Sequence, residues 1–335
     1  MRVRSSFIAL FFTLPLIVWG SGALYYLPLP TPWPTVAAAG FAQAALTIFL
    51  LTSSWKKAVM LFAALFAVPL VFFLLQKPAN NRKWQPDLAL LPSATIEGDK
   101  VTIHNIRNCD YRTETDFTVH HYDKTFDLNA LTSLDLYLVD WGLGSVVHTM
   151  LSFGFNNQDY VAVSIEARKE VGEGYSTLRG FFRQYELTYV VADERDVVRL
   201  RTNYRQGETA YLYRIQGDKQ LFREVFLDYL RAINQLHDRP EWYNALLTNC
   251  TSVLRGHTRP YFRKVSWDWR LLANGYADEM AYEKGALDTS LPFAELKQRS
   301  IINPQAQAAD QDRHFSLRIR EGLPGMSLLP PTNAH

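Results

Sequence analysis

The strongest constraint on this chain is where its charges are missing. From Ser5 to Trp55 there is no Asp, Glu, Lys or Arg. Lys56 and Lys57 interrupt the run, and Ala58 to Gln76 is again free of charge. A globular domain in water does not keep so long a stretch uncharged, so the start of the chain reads as membrane and the rest as soluble. The average hides this division, because over 335 residues the formal charge is only +2. Up to Gln76 the charged residues are Arg2, Arg4, Lys56 and Lys57. The other 31 of the 35 basic residues and all 33 acidic ones follow, leaving the soluble part at −2.

A helix needs about 20 mainly apolar residues to cross the hydrocarbon core. Three stretches fit: Phe7 to Tyr26, Val36 to Ser53 and Ala58 to Gln76. The second is the weakest, being Ala-rich with Gly40, Gln43 and Thr47. Pro15 and Pro69 fall inside spans, where neighbouring helices can compensate. The Pro-rich link from Leu27 to Pro34 reads as a tight hairpin. Trp19, Tyr25, Tyr26, Trp33 and Trp55 lie near span ends, as interfacial aromatics should. A cleaved signal peptide over Phe7 to Gly22 fits the basic start and apolar centre. Bulky Leu24, Tyr25 and Tyr26, and two further apolar runs, argue against it. Arg2, Arg4, Lys56 and Lys57 mark the cytoplasmic side by the positive-inside rule. Three spans then place everything after Gln76 outside. The expectation is a multi-pass protein of a bacterial inner (cytoplasmic) membrane, with its soluble domain in the periplasm.

The soluble part is long enough to bury a real core. Residues 77–83 read as a linker, 84–300 as one catalytic-type domain, and 301–335 as a poorly ordered tail. Ala94 to Ile103 carries a Gly-Asp turn between β-prone runs, a hairpin signal. Leu134 to Trp141, Ser145 to Phe155 and Tyr160 to Arg168 alternate as strands, with Val161, Val163 and Ile165 on one face and Ser164 and Glu166 on the other. Tyr185 to Val191 and Ala210 to Ile215 look like later strands. Asp218 to Leu236 has the apolar spacing of a helix, ended by His237-Asp-Arg-Pro240. The fold class is α+β: antiparallel strands in the middle, helices after them. Two cysteines cannot build a disulfide framework or a cysteine-rich zinc site. No phosphate-loop or dinucleotide motif occurs. The slightly acidic soluble part speaks against nucleic acid.

Cys250, in Thr248-Asn249-Cys250-Thr251-Ser252-Val253-Leu254, follows cap-type residues and precedes an apolar turn. A helix N-terminus there would favour the thiolate, and its backbone N–H groups could hold an oxyanion. The alternative is a buried, inert cysteine. His148 sits in the apolar strand Val146-Val-His-Thr-Met-Leu151, where a polar ring needs a partner. It is either a general base or a satisfied core histidine. Glu166 and Ser164 share a face of the next strand, within reach of that ring. The alternative for Glu166 is an ion pair with Arg168 or Arg179. Cys109 reads as structural, with Asp110 raising its pKa, and a Cys109–Cys250 disulfide would exclude thiol catalysis. The run Glu194 to Arg201 reads as a solvated helix face. Trp242, Tyr243, Trp267 and Trp269 could line an acyl-chain groove but suit an ordinary core.

Asn105-Ile-Arg-Asn, Asp110-Tyr-Arg, His148-Thr-Met-Leu-Ser-Phe-Gly154, Ser164-Ile-Glu-Ala-Arg168, Glu186 with Tyr189-Val-Val, and Asn249-Cys250-Thr251 occur here in series. This series resembles the Lnb N-terminal periplasmic domain family, over about Trp84 to Pro260. The namesake of that family is a bacterial lipoprotein N-acyltransferase. The order of a His-bearing strand before an Asn-Cys helix start is also similar to circularly permuted papain-like (NlpC-type) thiol enzymes. The resemblance implies a permuted papain-like domain with an antiparallel sheet and a Cys-bearing helix. It implies Cys250 as nucleophile and His148 as base. Glu166 is added as third group on geometry, with Asn249 and Ser164 as substrate or oxyanion contacts. The expected activity is a thiol acyltransferase acting on a membrane lipid or lipoprotein, with no metal and no organic cofactor. Two rivals remain: a cell-wall amidase or peptidase with the same pair, and a non-enzymatic envelope assembly protein.

Overall fold

The computed structural model describes residues 2–142, 144–245, 256, 270 and 274–326. They fall into two compact units, one of residues 1–79 with 175–185, the other of residues 80–174 with 186–335.

In the first unit, α1 (Arg2–Tyr25), α2 (Trp33–Leu51) and α3 (Trp55–Leu75) are each long and apolar enough to cross a membrane. The second and third begin three residues earlier than the apolar runs suggest. Pro34 sits in the first turn of α2, where its missing N–H has no intrahelical role. The hydroxyls of Thr13, Ser21 and Thr47 donate to carbonyls one turn back, so these polar groups are satisfied within their own helices. Helix α1 packs against both others, while α2 and α3 touch each other less. Ile17, Leu24, Phe41, Phe49 and Phe62 form the shared core. Gly20 permits the close approach, since a Cβ there would lie 2.7 Å from the Phe41 ring. Phe11, Phe12 and Leu50 point outward and are exposed, as side chains facing lipid would be.

The same unit includes residues 175–185, which the sequence places inside the soluble domain. A short turn of helix, α4 (Thr177–Gly180), is capped by Ser176, and the Phe182 ring stacks on Tyr26 at 5.2 Å. Arg183 Nη1 donates to the carbonyls of Phe73 (2.6 Å) and Gln76 (3.3 Å). It thus caps the end of α3, where carbonyls lack intrahelical partners.

The second unit is built on an eight-stranded sheet. Its strands are β1 (Ser93–Glu97), β2 (Lys100–Arg107), β5 (His121–Asp127), β6 (Leu131–Asp140), β7 (Val147–Phe155), β8 (Asp159–Arg168), β9 (Glu186–Ala192) and β10 (Thr209–Arg214). The order is β1-β2-β9-β8-β7-β6-β10, with β5 also on β2. All pairings are antiparallel except that of β2 with β9. A separate small ribbon joins β3 (Asp110–Tyr111) to β4 (Phe117–Thr118). Gly98 turns the first hairpin with φ +62°, a conformation that favours glycine. Strand β5 escapes a sequence reading because Phe126 is its one fully buried side chain.

Two helical layers cover the sheet. On one face lies α6 (Lys219–Asp238), whose N-terminus is capped by Asp218 accepting from the Leu221 N–H at 2.7 Å. It buries Phe222, Val225, Phe226, Tyr229, Leu230 and Ile233, and the Phe226 ring meets Phe153 at 4.6 Å. Each such side chain contributes about 1.5–3 kcal/mol. The opposite face carries Tyr137, Val139, Met150, Ala162 and Val190. It packs under α5 (Glu194–Arg199) and the π turn Leu200–Tyr204. Beyond α7 (Ala277–Glu283) and α8 (Phe293–Arg299), the same layer is completed by α9 (Asn303–Ala308) and α10 (Phe315–Arg318).

Two expectations fail here, for one reason. The charged run is not a solvated face: Glu194, Asp196 and Arg199 are buried. Nor is 301–326 a loose tail, because Ile302, Ala306, Phe315, Ile319 and Met326 enter the core. Arg320 explains both. It is fully buried and donates to Glu194 at 2.7 and 2.8 Å and to Asp135 at 2.9 Å. Tyr137 donates its hydroxyl to Glu194 at 2.7 Å, and Arg214 pairs with Asp135. Charges this deep survive only when paired and hydrogen-bonded. Removing the cation would leave two carboxylates buried without it. Arg320→Ala is expected to destabilise the second unit by about 3–5 kcal/mol. Denaturant unfolding would measure this, and a change within ~0.5 kcal/mol, typical of a surface site, would contradict it.

Candidate functional site

Strands β7 and β8 pair with Met150 opposite Ser164. Continuing that antiparallel register by two residues sets His148 against Glu166 on the same face, since side chains alternate with period two. The side chains meet as the register dictates. His148 Nε2 lies 2.7 Å from Ser164 Oγ, and Ser164 Oγ donates to Glu166 Oε1 at 2.9 Å. The direct distance from Nε2 to Glu166 Oε1 is 3.6 Å. His148 is only 7% exposed and Ser164 is fully buried.

The proton count fixes the tautomer. A serine hydroxyl has one proton, and here Glu166 accepts it. Ser164 Oγ can then only accept from the ring, so Nε2 carries a hydrogen, and in the neutral imidazole Nδ1 carries the lone pair. Nδ1 has no hydrogen-bond partner among the described residues. It is the atom from which the imidazole can act as a base.

Glu166 does not pair with Arg168. Arg168 turns away, donating to the carbonyls of Leu88 and Ala89 and stacking over Trp84. The cation that meets Glu166 is Arg201, on the π turn, at 3.5 Å. Arg201 also pairs with Glu208 at 3.3 Å, which is shared by Arg205. Burial alone would raise the Glu166 pKa. The charge of Arg201, joined by that of His148 whenever its ring is protonated, outweighs it and holds the carboxyl well below the usual range. Glu166 is therefore a fixed anion, suited to orient an imidazole and to stabilise it once protonated.

Two further residues hold the base. Asn274 pairs with the backbone of Val147 as a strand would, accepting from its N–H at 2.9 Å and donating to its carbonyl at 2.6 Å. The Trp141 ring lies nearly parallel to His148, with centroids 6.4 Å apart. Trp141 and Val146 are both exposed beside it. Sequence reading missed Arg201, Asn274 and Trp141. The only signal for Arg201 was its place at the end of the charged run.

Cys250 and Asn249 lie outside the described residues, as do Trp267 and Trp269. Cys109 is a free, buried thiol. Burial first, and the charge of Asp196 second, push it up to about 12, in place of the neighbouring Asp110 that the sequence suggests. Asp196 also accepts from the Cys109 N–H at 2.7 Å and from Arg107 at 2.8 and 2.9 Å. A thiol in that state is not nucleophilic at neutral pH. Tyr243 is buried, and the Trp242 ring stacks under the Arg82 guanidinium, as in an ordinary core. Among the described residues no three His, Cys, Asp or Glu side chains converge as a metal site.

Residues 118–275 match the family described as the Lnb N-terminal periplasmic domain. The chain carries a domain of that family, spanning β5 to the Asn274 contact and including every site residue above. The match begins after Asn105 to Arg112, so that part of the resemblance falls outside it. Together with the three apolar helices, it makes the chain an Lnb-like, membrane-anchored envelope protein with a periplasmic domain. No curated protein and no solved structure matches the chain.

The Glu166 pKa has a consequence for stability. It is lower in the folded chain than in the unfolded one, where carboxyls titrate near ~4.3. Its contribution is thus fully present above that value and is lost as pH falls toward the folded pKa. Glu166→Gln should flatten the fall in stability between about pH 5 and 3. Denaturant unfolding at several pH values measures the slope, and equal slopes in both proteins would contradict this electrostatic account.

Proposed function

We propose that the chain is a thiol acyltransferase that moves an acyl group from a membrane lipid to the N-terminus of a lipoprotein. The observation that carries this reading is the His148–Ser164–Glu166 relay, which leaves His148 Nδ1 as a buried base. The family of the domain supports it. In this reading Cys250 gives its thiol proton to Nδ1, and the thiolate attacks the ester carbonyl carbon. The Cys250 N–H and Asn249 receive the oxyanion. The lipid alcohol leaves with the proton from His148, and Cys250 holds a thioester. A substrate amine attacks that thioester, His148 takes the amine proton, and the amide departs as the thiolate re-forms. Glu166 steadies the imidazolium in both halves. Three spans of the inner membrane, with Lys56 and Lys57 in the cytoplasm, would hold the domain at the outer leaflet, where both substrates lie.

The test uses the full chain in phospholipid vesicles with an acyl-labelled lipid. The expected product is a covalent label at Cys250 that neutral hydroxylamine removes, as it does from thioesters. Cys250→Ala should abolish it, and His148→Ala should slow it by about 10²–10⁴-fold. A label that persists in Cys250→Ala, or no label with any phospholipid, would overturn the proposal.

A further inference from the structure

The three-helix unit contains a cavity of about 740 Å³. This lies within the ~300–1,000 Å³ typical of ligand sites. It occupies the end of the bundle where α1 and α3 finish and α2 begins. Leu24, Phe41, Ala44, Val68 and Phe72 line it, and the wall is almost wholly apolar. Two features interrupt that character. Gln76 closes one side, and its side-chain amide nitrogen is buried with no hydrogen-bond partner among the described residues. Arg183, bonded to the Gln76 carbonyl, places a guanidinium beside it. Exposed Tyr175 and Leu178 and half-buried Arg179 lie on the same segment, the mixture of aromatic, apolar and basic side chains that suits a headgroup layer.

We infer that this cavity holds one acyl chain of a glycerophospholipid, with its ester near the Gln76 amide and its phosphate near Arg183. The charge pattern selects this occupant. A partner helix would need no cation and no amide donor at the cavity end, whereas a phospholipid presents an ester acceptor and an anion one after the other. Gly40 makes the space available: it lines the cavity, and a Cβ built on it meets nothing within 4 Å. The site would present the acyl donor of the reaction proposed above, and only that role rests on the proposed reaction.

The experiment uses the full chain in vesicles that contain a phospholipid with a photoreactive group in its acyl chain. Adducts are mapped by peptide mass spectrometry. They are expected at Ala44, Val68 and Phe72. Gly40→Leu starts from a Cβ that meets nothing within 4 Å and projects a side chain into the cavity; it should reduce them about tenfold, whereas Leu50→Phe, on the outward face of α2, should not. Arg183→Gln should weaken labelling by the phospholipid probe but not by a diacylglycerol with the same chain. Even labelling around the bundle, or labelling indifferent to Gly40→Leu, would overturn the inference. Cys250→Ala separates the two claims. Cavity adducts without an acyl-enzyme would sink the reaction alone, and an acyl-enzyme formed equally well by Gly40→Leu would sink the donor role of the cavity.

Discussion

Everything at the site depends on the register of β7 against β8. Side chains in a strand alternate with a period of two, so a slip of one residue would turn His148 toward α6 and bury it among phenylalanines. The pairing of Met150 with Ser164 prevents that slip. Both strands are buried throughout most of their length, and each face has its own partners. Phe153 and Phe155 belong under α6, and Met150 belongs under α5 and the C-terminal helices. The hydrophobic core thus sets the geometry of a polar relay that it does not chemically resemble.

The strands around the site were legible because their alternation is local. Val161, Val163 and Ile165 against Ser164 and Glu166 predicts which side chains share a face with His148, and the distances of 2.7 and 2.9 Å follow from that pattern. What was not legible is burial of charge. Glu194 to Arg201 has the composition of a wet helix. Its burial is decided by Arg320, 126 residues away from Glu194. Arg201 is read wrongly for the same reason, since its partner Glu166 comes from a strand well before it. No local period carries that information. The end of the chain suffered likewise: Gln305 to Asp312 is polar on average, yet Ala306 and Ala309 face the core.

The membrane part reversed this balance. Its helices are almost fully determined by composition, and only their first turns differ from the apolar runs. The surprise was the return of residues 175–185 to that unit, through Phe182 on Tyr26 and Arg183 on the last carbonyls of α3. A connection between β8 and β9 therefore serves the helices. The two strands flanking it are the site strand that carries Glu166 and its neighbour.

The central claim is that Cys250 is a thiolate activated by His148. The most direct measurement is the rate of alkylation of Cys250 by iodoacetamide from pH 5 to 9, in the intact chain and in His148→Ala. The account predicts a reactive plateau well below the free-thiol value of ~8.5, lost in the variant. A rate that rises only through ~8.5 and is indifferent to His148 would contradict it, and would leave a structural cysteine in a non-enzymatic envelope protein.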